Sequence, residues 1–146
     1  MVIGADTIVV IDGEVLGKPA GPSAAEAMLR ALSGRTHQVI TAVAVKDRSG
    51  IRSALDTARV RFRELSGSEI RDYVAGGEPL DKAGAYGLQG RGRAFVEGVD
   101  GDPETVIGLP VRLLRRLLGG GARSDRPVSD QLDVRGNWRR DHERPI

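Results

Sequence analysis

The first apolar run of the chain, residues 2–11, is rich in β-branched residues and predicts a strand. The Asp12-Gly13 pair that follows is a strong signal for a two-residue hairpin turn. Residues 36–47 are apolar at both alternating sets of positions, which is typical of a central strand covered on two faces. The strand predicted next alternates apolar residues with arginines on a solvated face, and a shorter strand is predicted over 93–99.

Helical spacing occurs in three segments. Residues 21–34, GPSAAEAMLRALSG, place apolar residues on one face, and Ser23 with Glu26 matches a capping box. Ser66 with Glu69 gives the same signature before a second helix, and VRLLRRLLGGG predicts a third that ends at glycines. The pattern as a whole predicts an α/β fold with a mixed central sheet and flanking helices.

Residues 78–92, EPLDKAGAYGLQGRG, follow neither the helical nor the strand period. A segment of this length without regular structure is usually functional or disordered, and its glycines permit close approach of a ligand. A flexible surface turn is the alternative. Apolar residues become rare near the C-terminus, so we expect one domain over 1–118 and a disordered tail over 119–146.

Composition and charge exclude several classes of protein and of binding site. The 146 residues include no cysteine, which excludes disulfides and thiolate metal sites. No apolar run approaches the roughly 18 residues of a membrane span. The net charge is +2, and residues 1–118 hold 16 basic and 15 acidic side chains, which leaves no basic footprint for nucleic acid. We therefore expect a cytoplasmic protein that binds neither nucleic acid nor membrane.

The candidate chemistry consists of a carboxylate, two lysines and a polar glycine-rich loop. Asp6 stands in the first apolar strand, Lys18 follows twelve positions later, and Lys82 and Gln89 lie in the loop. An aspartate that caps its own backbone and a solvated lysine are the simpler interpretation. The functional interpretation is a polyphosphate site, in which an acid holds Mg²⁺ or takes a proton from water and cations neutralise the phosphates.

Five blocks carry a resemblance to a known family: GADTIVV, LGKP, MLRALSGRTHQVITAVAV, GEPLDKAGAYGLQGRG and VIGLP. In this order and spacing the chain resembles the Maf family of nucleoside triphosphate pyrophosphatases over residues 2–118. The resemblance implies an inosine triphosphatase-like α/β fold and hydrolysis of dTTP- or UTP-type nucleotides, non-standard ones included, to monophosphate and pyrophosphate. It also implies a divalent cation, Mg²⁺ or Mn²⁺, and a homodimer.

The same resemblance implies roles for single residues. Asp6 corresponds to the general base and metal-associated carboxylate, and Lys18 corresponds to a lysine that contacts the phosphates. Thr7 and Gln89 match positions linked to base selection. Together with Lys82, they complete the expected substrate-binding set.

One block of the family is not found in the 146 residues, an SxSPRR-type loop that follows an N-terminal strand and carries phosphate-binding arginines. We therefore expect the domain to be incomplete at its N-terminus, either because the true start lies upstream of Met1 or because the chain is a truncated relative. The alternative hypothesis is a non-catalytic binding or interaction module, with a possible part in cell-division arrest.

Overall fold

The structure, a computed structural model, describes residues 1–119. Five strands form one sheet in the order β2-β1-β3-β4-β5, and each of its strand pairings is antiparallel. The strands are β1 (Val2–Ile11), β2 (Glu14–Leu16), β3 (Thr36–Asp47), β4 (Gly50–Phe62) and β5 (Val96–Asp100).

Helices and short 3₁₀ turns join the strands. The helices are α1 (Pro22–Leu32), α2 (Gly67–Ala75), α3 (Pro103–Ile107) and α4 (Val111–Leu118). The 3₁₀ turns span Glu78–Asp81, Ala83–Ala85 and Arg91–Phe95. Within the described part of the chain, none of the helices has the length and apolar character needed to cross a membrane.

The predicted α/β class is confirmed, but the sheet is antiparallel throughout residues 1–119 instead of mixed. Two of the four pairings, β1–β2 and β3–β4, join consecutive strands through two-residue turns, Asp12-Gly13 and Arg48-Ser49. Such short links join antiparallel neighbours, whereas parallel strands need a long crossover. Asp12 and Gly13 have φ values of 52° and 75°, as a type I′ hairpin turn requires.

Two predicted element boundaries were wrong. The first helix begins at Pro22 with Gly21 as its N-cap, and no side chain caps it, so Ser23 and Glu26 form no capping box. Proline favours the first helical position because its fixed φ is already helical. The fifth strand begins at Val96 and not at residue 93, because a 3₁₀ turn occupies the preceding residues.

The start of α2 is as predicted. The Ser66 Oγ accepts from the Glu69 N–H at 3.2 Å, and the Glu69 carboxylate accepts from the Ser66 N–H at 2.9 Å. Glu69 also pairs with Arg63, the nearest N–O distance being 2.6 Å. The hydrogen bond from Arg63 is the main reason why the pKa of Glu69 falls to about 2.

Two apolar clusters pack against the sheet. The larger one joins β1, β3 and β4 to α1 and α2, and it contains edge-to-face contacts among aromatic rings. The smaller one packs α4 against the other half of β3 and consists of Val43, Val45, Leu113 and Leu117. The larger cluster packs on the first half of β3 and the smaller one on its second half, so β3 contributes to both clusters.

Candidate functional site

A cavity of about 290 Å³ lies where β1, the chain just after β2 at Lys18, the loop over 78–92 and the end of α3 meet. The structure brings together around this cavity each of the side chains that the sequence suggested, namely Asp6, Thr7, Lys18, Lys82 and Gln89. Their convergence from three separate segments makes the cavity the candidate site.

Strand β1 supplies two neighbouring side chains to the cavity. Consecutive strand residues point to opposite faces of a sheet, yet both Asp6 and Thr7 line the cavity. Both can do so because, in the described residues, β1 pairs with β2 only from Val9 onwards and has no other neighbour on that side. The open edge of β1 therefore forms a wall of the cavity.

The Asp6 carboxylate caps its own backbone, as the simpler interpretation proposed. Its Oδ1 accepts from the Thr7 N–H at 2.9 Å. Within residues 1–119 the carboxylate makes no ion pair with Lys18 or with any other cation. Since the backbone contact uses one carboxylate oxygen, the other is available to a ligand in the cavity.

The chain just after β2 is held to the loop over 78–92 beside Lys18. The Gly84 N–H donates to the Gly17 carbonyl at 3.1 Å. Gly84 has a φ of +68°, and a Cβ there would lie 2.8 Å from Cγ2 of Val9. Glycine is therefore required at this point both by the backbone conformation and by the close approach to β1.

Replacing Gly84 with alanine is expected to lower the free energy of unfolding by roughly 2 kcal/mol, because the new methyl group adds backbone strain and overpacks against Val9. Urea unfolding followed by circular dichroism measures the change. Gly17→Ala is the matched control, since a Cβ at Gly17 meets nothing within 4 Å. Equal stability of the two variants would contradict the close packing of the loop on β1.

The loop over 78–92 is ordered by an internal acid. The Glu78 carboxylate accepts from the Tyr73 hydroxyl at 3.3 Å and from the backbone N–H groups of Arg91 and Gly92, both at 3.4 Å. Its chain path is a series of 3₁₀ turns with buried residues and not a loose surface turn. These contacts fix the conformation of the segment that carries Lys82 and Gln89 and lines the cavity.

Several lining residues were missed by the sequence interpretation. Asp81 lines the cavity and pairs with Lys82, the Nζ–Oδ1 distance being 3.2 Å. Tyr86 and the end of α3, at Val106 and Ile107, also contribute. They lie in the GEPLDKAGAYGLQGRG and VIGLP blocks, and these blocks were the sequence signal that could have found them. Neither block has a helical or strand period, so the direction in which each side chain points could not be predicted.

A buried histidine lies behind the cavity wall. His37 is 2% exposed, and its Nε2 is 2.7 Å from the Tyr86 hydroxyl. Its Nδ1 has no hydrogen-bond partner among the described residues. Burial lowers the pKa of His37 to about 4, so the imidazole is neutral at physiological pH. It therefore supports Tyr86 without adding charge to the site.

The carboxylates of the cavity suit a metal ion that is bound jointly by the protein and by substrate phosphates. Asp6 and Asp81 both line it. Residues 1–119 hold no group of three or more histidine, aspartate or glutamate side chains placed so that they could bind one metal ion. Mg²⁺ is usually held by one or two carboxylates together with water and substrate phosphates. The residues present therefore fit a cation that arrives with a polyphosphate.

Comparison with known proteins identifies close relatives. The family described as Maf-like protein matches residues 1–120. A dTTP/UTP pyrophosphatase of Shewanella denitrificans is 52% identical over 124 residues, which are 85% of this chain and 63% of that protein. One of Yersinia pestis is 53% identical over 117 residues, covering 80% of this chain and 59% of the relative. One of Salmonella typhimurium is 56% identical over 110 residues, covering 75% and 56%. The chain thus spans about three fifths of the length of the curated relatives it matches.

Proposed function

This chain belongs to the Maf-like protein family, and on that premise we propose that it hydrolyses dTTP- and UTP-type nucleoside triphosphates, non-standard ones included, to monophosphate and pyrophosphate. The observation that carries the proposal is the convergence of the five predicted side chains on one cavity. The substrate class comes from the relatives, which are named dTTP/UTP pyrophosphatases. A homodimer and a cytoplasmic location remain predictions.

The lysines of the cavity bind the triphosphate. Lys18 makes no ion pair within residues 1–119, so its ammonium group is available to phosphate oxygens. Lys82 is held by Asp81, and it reaches the cavity from the opposite segment. Cations on two sides neutralise the charge that the leaving pyrophosphate carries.

Asp6 acts at the α-phosphate. Its free oxygen takes the proton of a water molecule, and the water oxygen attacks the α-phosphorus while the bond to the bridging oxygen breaks. The bridging oxygen leaves with the β- and γ-phosphates as pyrophosphate. A divalent cation, Mg²⁺ or Mn²⁺, would be held by Asp6 and the phosphates, and when bound it supplies charge neutralisation for the phosphoryl group.

Product analysis of the 146-residue chain with UTP or dTTP and Mg²⁺ tests the proposal. We expect UMP or dTMP with pyrophosphate, and in ¹⁸O-labelled water we expect the label in the monophosphate. Release of orthophosphate and a nucleoside diphosphate would place the cleavage at the wrong bond. Nucleotide binding without any hydrolysis would favour the interaction module instead.

Replacing Lys18 with alanine is expected to raise KM and lower kcat together, with a total loss in kcat/KM of about tenfold to a hundredfold. A charge-assisted contact of about 1.5–3 kcal/mol is removed: its loss from the bound substrate raises KM, and because the contact strengthens as charge develops on the leaving pyrophosphate, its loss also lowers kcat. Steady-state kinetics with UTP measures both constants. Lys46→Ala on β3 is the control, since Lys46 is exposed and does not line the cavity. A Lys18→Ala variant with the kinetics of the control would remove Lys18 from the site.

A further inference from the structure

A row of polar side chains crosses the sheet between its two apolar clusters. Thr7 of β1 pairs directly with Thr41 of β3, and Thr41 pairs directly with Asp56 of β4. Side chains paired in this way lie on the same face within contact distance. Thr105 of α3 packs over the row, and both Thr41 and Thr105 are fully buried.

The hydrogen bonds in this row have a fixed direction. The Thr41 hydroxyl donates to the Thr105 carbonyl oxygen at 2.7 Å. A hydroxyl carries a single proton, so Thr41 can only accept in its 2.8 Å contact with the Thr7 hydroxyl. The Thr105 hydroxyl supplies no proton to Thr41, because its own proton is donated to the Asp56 carboxylate. Thr7 is therefore held as the donor to Thr41.

This direction determines what Thr7 offers to the cavity that it lines. With its proton committed to Thr41, the Thr7 hydroxyl presents only lone pairs to a ligand. Phosphate oxygens are acceptors and are repelled there, so a ligand atom that forms a hydrogen bond with Thr7 must carry a proton. Gln89 cannot impose this choice, because it is exposed and its amide offers either a donor or an acceptor.

We propose that Thr41 is a positioning residue which makes the site selective for bases that present a ring N–H. Uracil and thymine carry a proton on N3, where cytosine has only a lone pair. The locked Thr7 hydroxyl accepts from the former and is repelled by the latter. The inference rests on the proposed function only in taking a pyrimidine nucleotide as the ligand.

Calorimetric titration of the 146-residue chain with UMP and with CMP tests the proposal without requiring turnover. We expect the unmodified chain to bind UMP about tenfold or more tightly than CMP, which is the size of one reversed hydrogen bond. Thr41→Val removes the acceptor and lets the Thr7 proton turn towards the cavity, so the preference should fall to about twofold or less. Thr41→Ser restores the hydroxyl and should restore the preference.

Thr105→Val is the control for a merely structural effect. It removes the hydrogen bond to Asp56 but keeps the backbone carbonyl that accepts from Thr41, so it should lower stability and leave the UMP preference unchanged. The proposal is overturned if the unmodified chain fails to prefer UMP, if Thr41→Val weakens both ligands equally, or if Thr105→Val shifts the ratio as much. A clear UMP preference in a chain that hydrolyses nothing would instead overturn the proposed function alone.

Discussion

Asp6→Asn is expected to reduce pyrophosphate release from UTP and dTTP by about 10² to 10⁴-fold, the usual size of the loss when a general base is removed. The amide cannot take a proton from water and carries no charge for a cation. Its oxygen can still accept from the Thr7 N–H, so the variant should fold like the unmodified chain. Binding of a non-hydrolysable UTP analogue should change far less than turnover, because Lys18 and Lys82 are intact.

The matched control is Asp12→Asn, a change of the exposed aspartate in the turn that follows the same strand. Asp12 pairs with Arg35 at 2.6 Å and does not line the cavity. Turnover by this variant should stay within about twofold of the unmodified chain, since exposed ion pairs contribute little. If Asp6→Asn retains turnover similar to the control, the Asp6 carboxylate serves only to cap its backbone.

Most strands and helices were predictable because their signals are local. The hairpin follows from Asp12-Gly13 and α2 from Ser66 and Glu69, where the residues that carry the signal also make the hydrogen bonds. The direction of β3 relative to β1 and of β5 relative to β4 was not predicted, because helices lie between these strands along the chain and a long connection permits either direction. The helix α3 was missed, since five residues are too few to show a helical period.

The residues of the site were predictable from the sequence, but their arrangement around one cavity was not. The identity of Asp6, Thr7, Lys18, Lys82 and Gln89 came from blocks shared with a family, while their common cavity depends on tertiary packing that no single block encodes. Their individual roles, the cation, the homodimer and the extent of the domain over 1–118 remain predictions.

Other features of the site and chain lay beyond the sequence signals. The hydroxyl row through Thr41 was not foreseen, because a buried threonine within an apolar strand has the same pattern as a packed valine. The disordered tail predicted for 119–146 lies outside the described residues, except for Gly119.

The folded chain is expected to lose stability as the pH falls from about 6.5 to 4, because His37 is buried as a neutral imidazole. Its pKa is about 4 in the folded state, against an ordinary value of 6.5. Between these values the unfolded chain binds one more proton than the folded chain, so the free energy of unfolding decreases with decreasing pH. The full decrease is roughly 3 kcal/mol, and above about pH 6.5 His37 contributes no pH dependence.

His37→Gln separates this effect from the titration of acids. Glutamine can still bond to the Tyr86 hydroxyl but carries no titrating group, so its free energy of unfolding should be nearly constant between pH 6.5 and 5. Glu69 and Asp47 do not interfere in this window, because hydrogen bonds to arginine and serine lower the pKa of each to about 2, and their contribution is lost only below about pH 4.5. Urea unfolding at pH 7, 6 and 5 measures both proteins. The same pH dependence in the two would mean that His37 becomes protonated without cost, and hence that the aromatic cluster admits water around the imidazole.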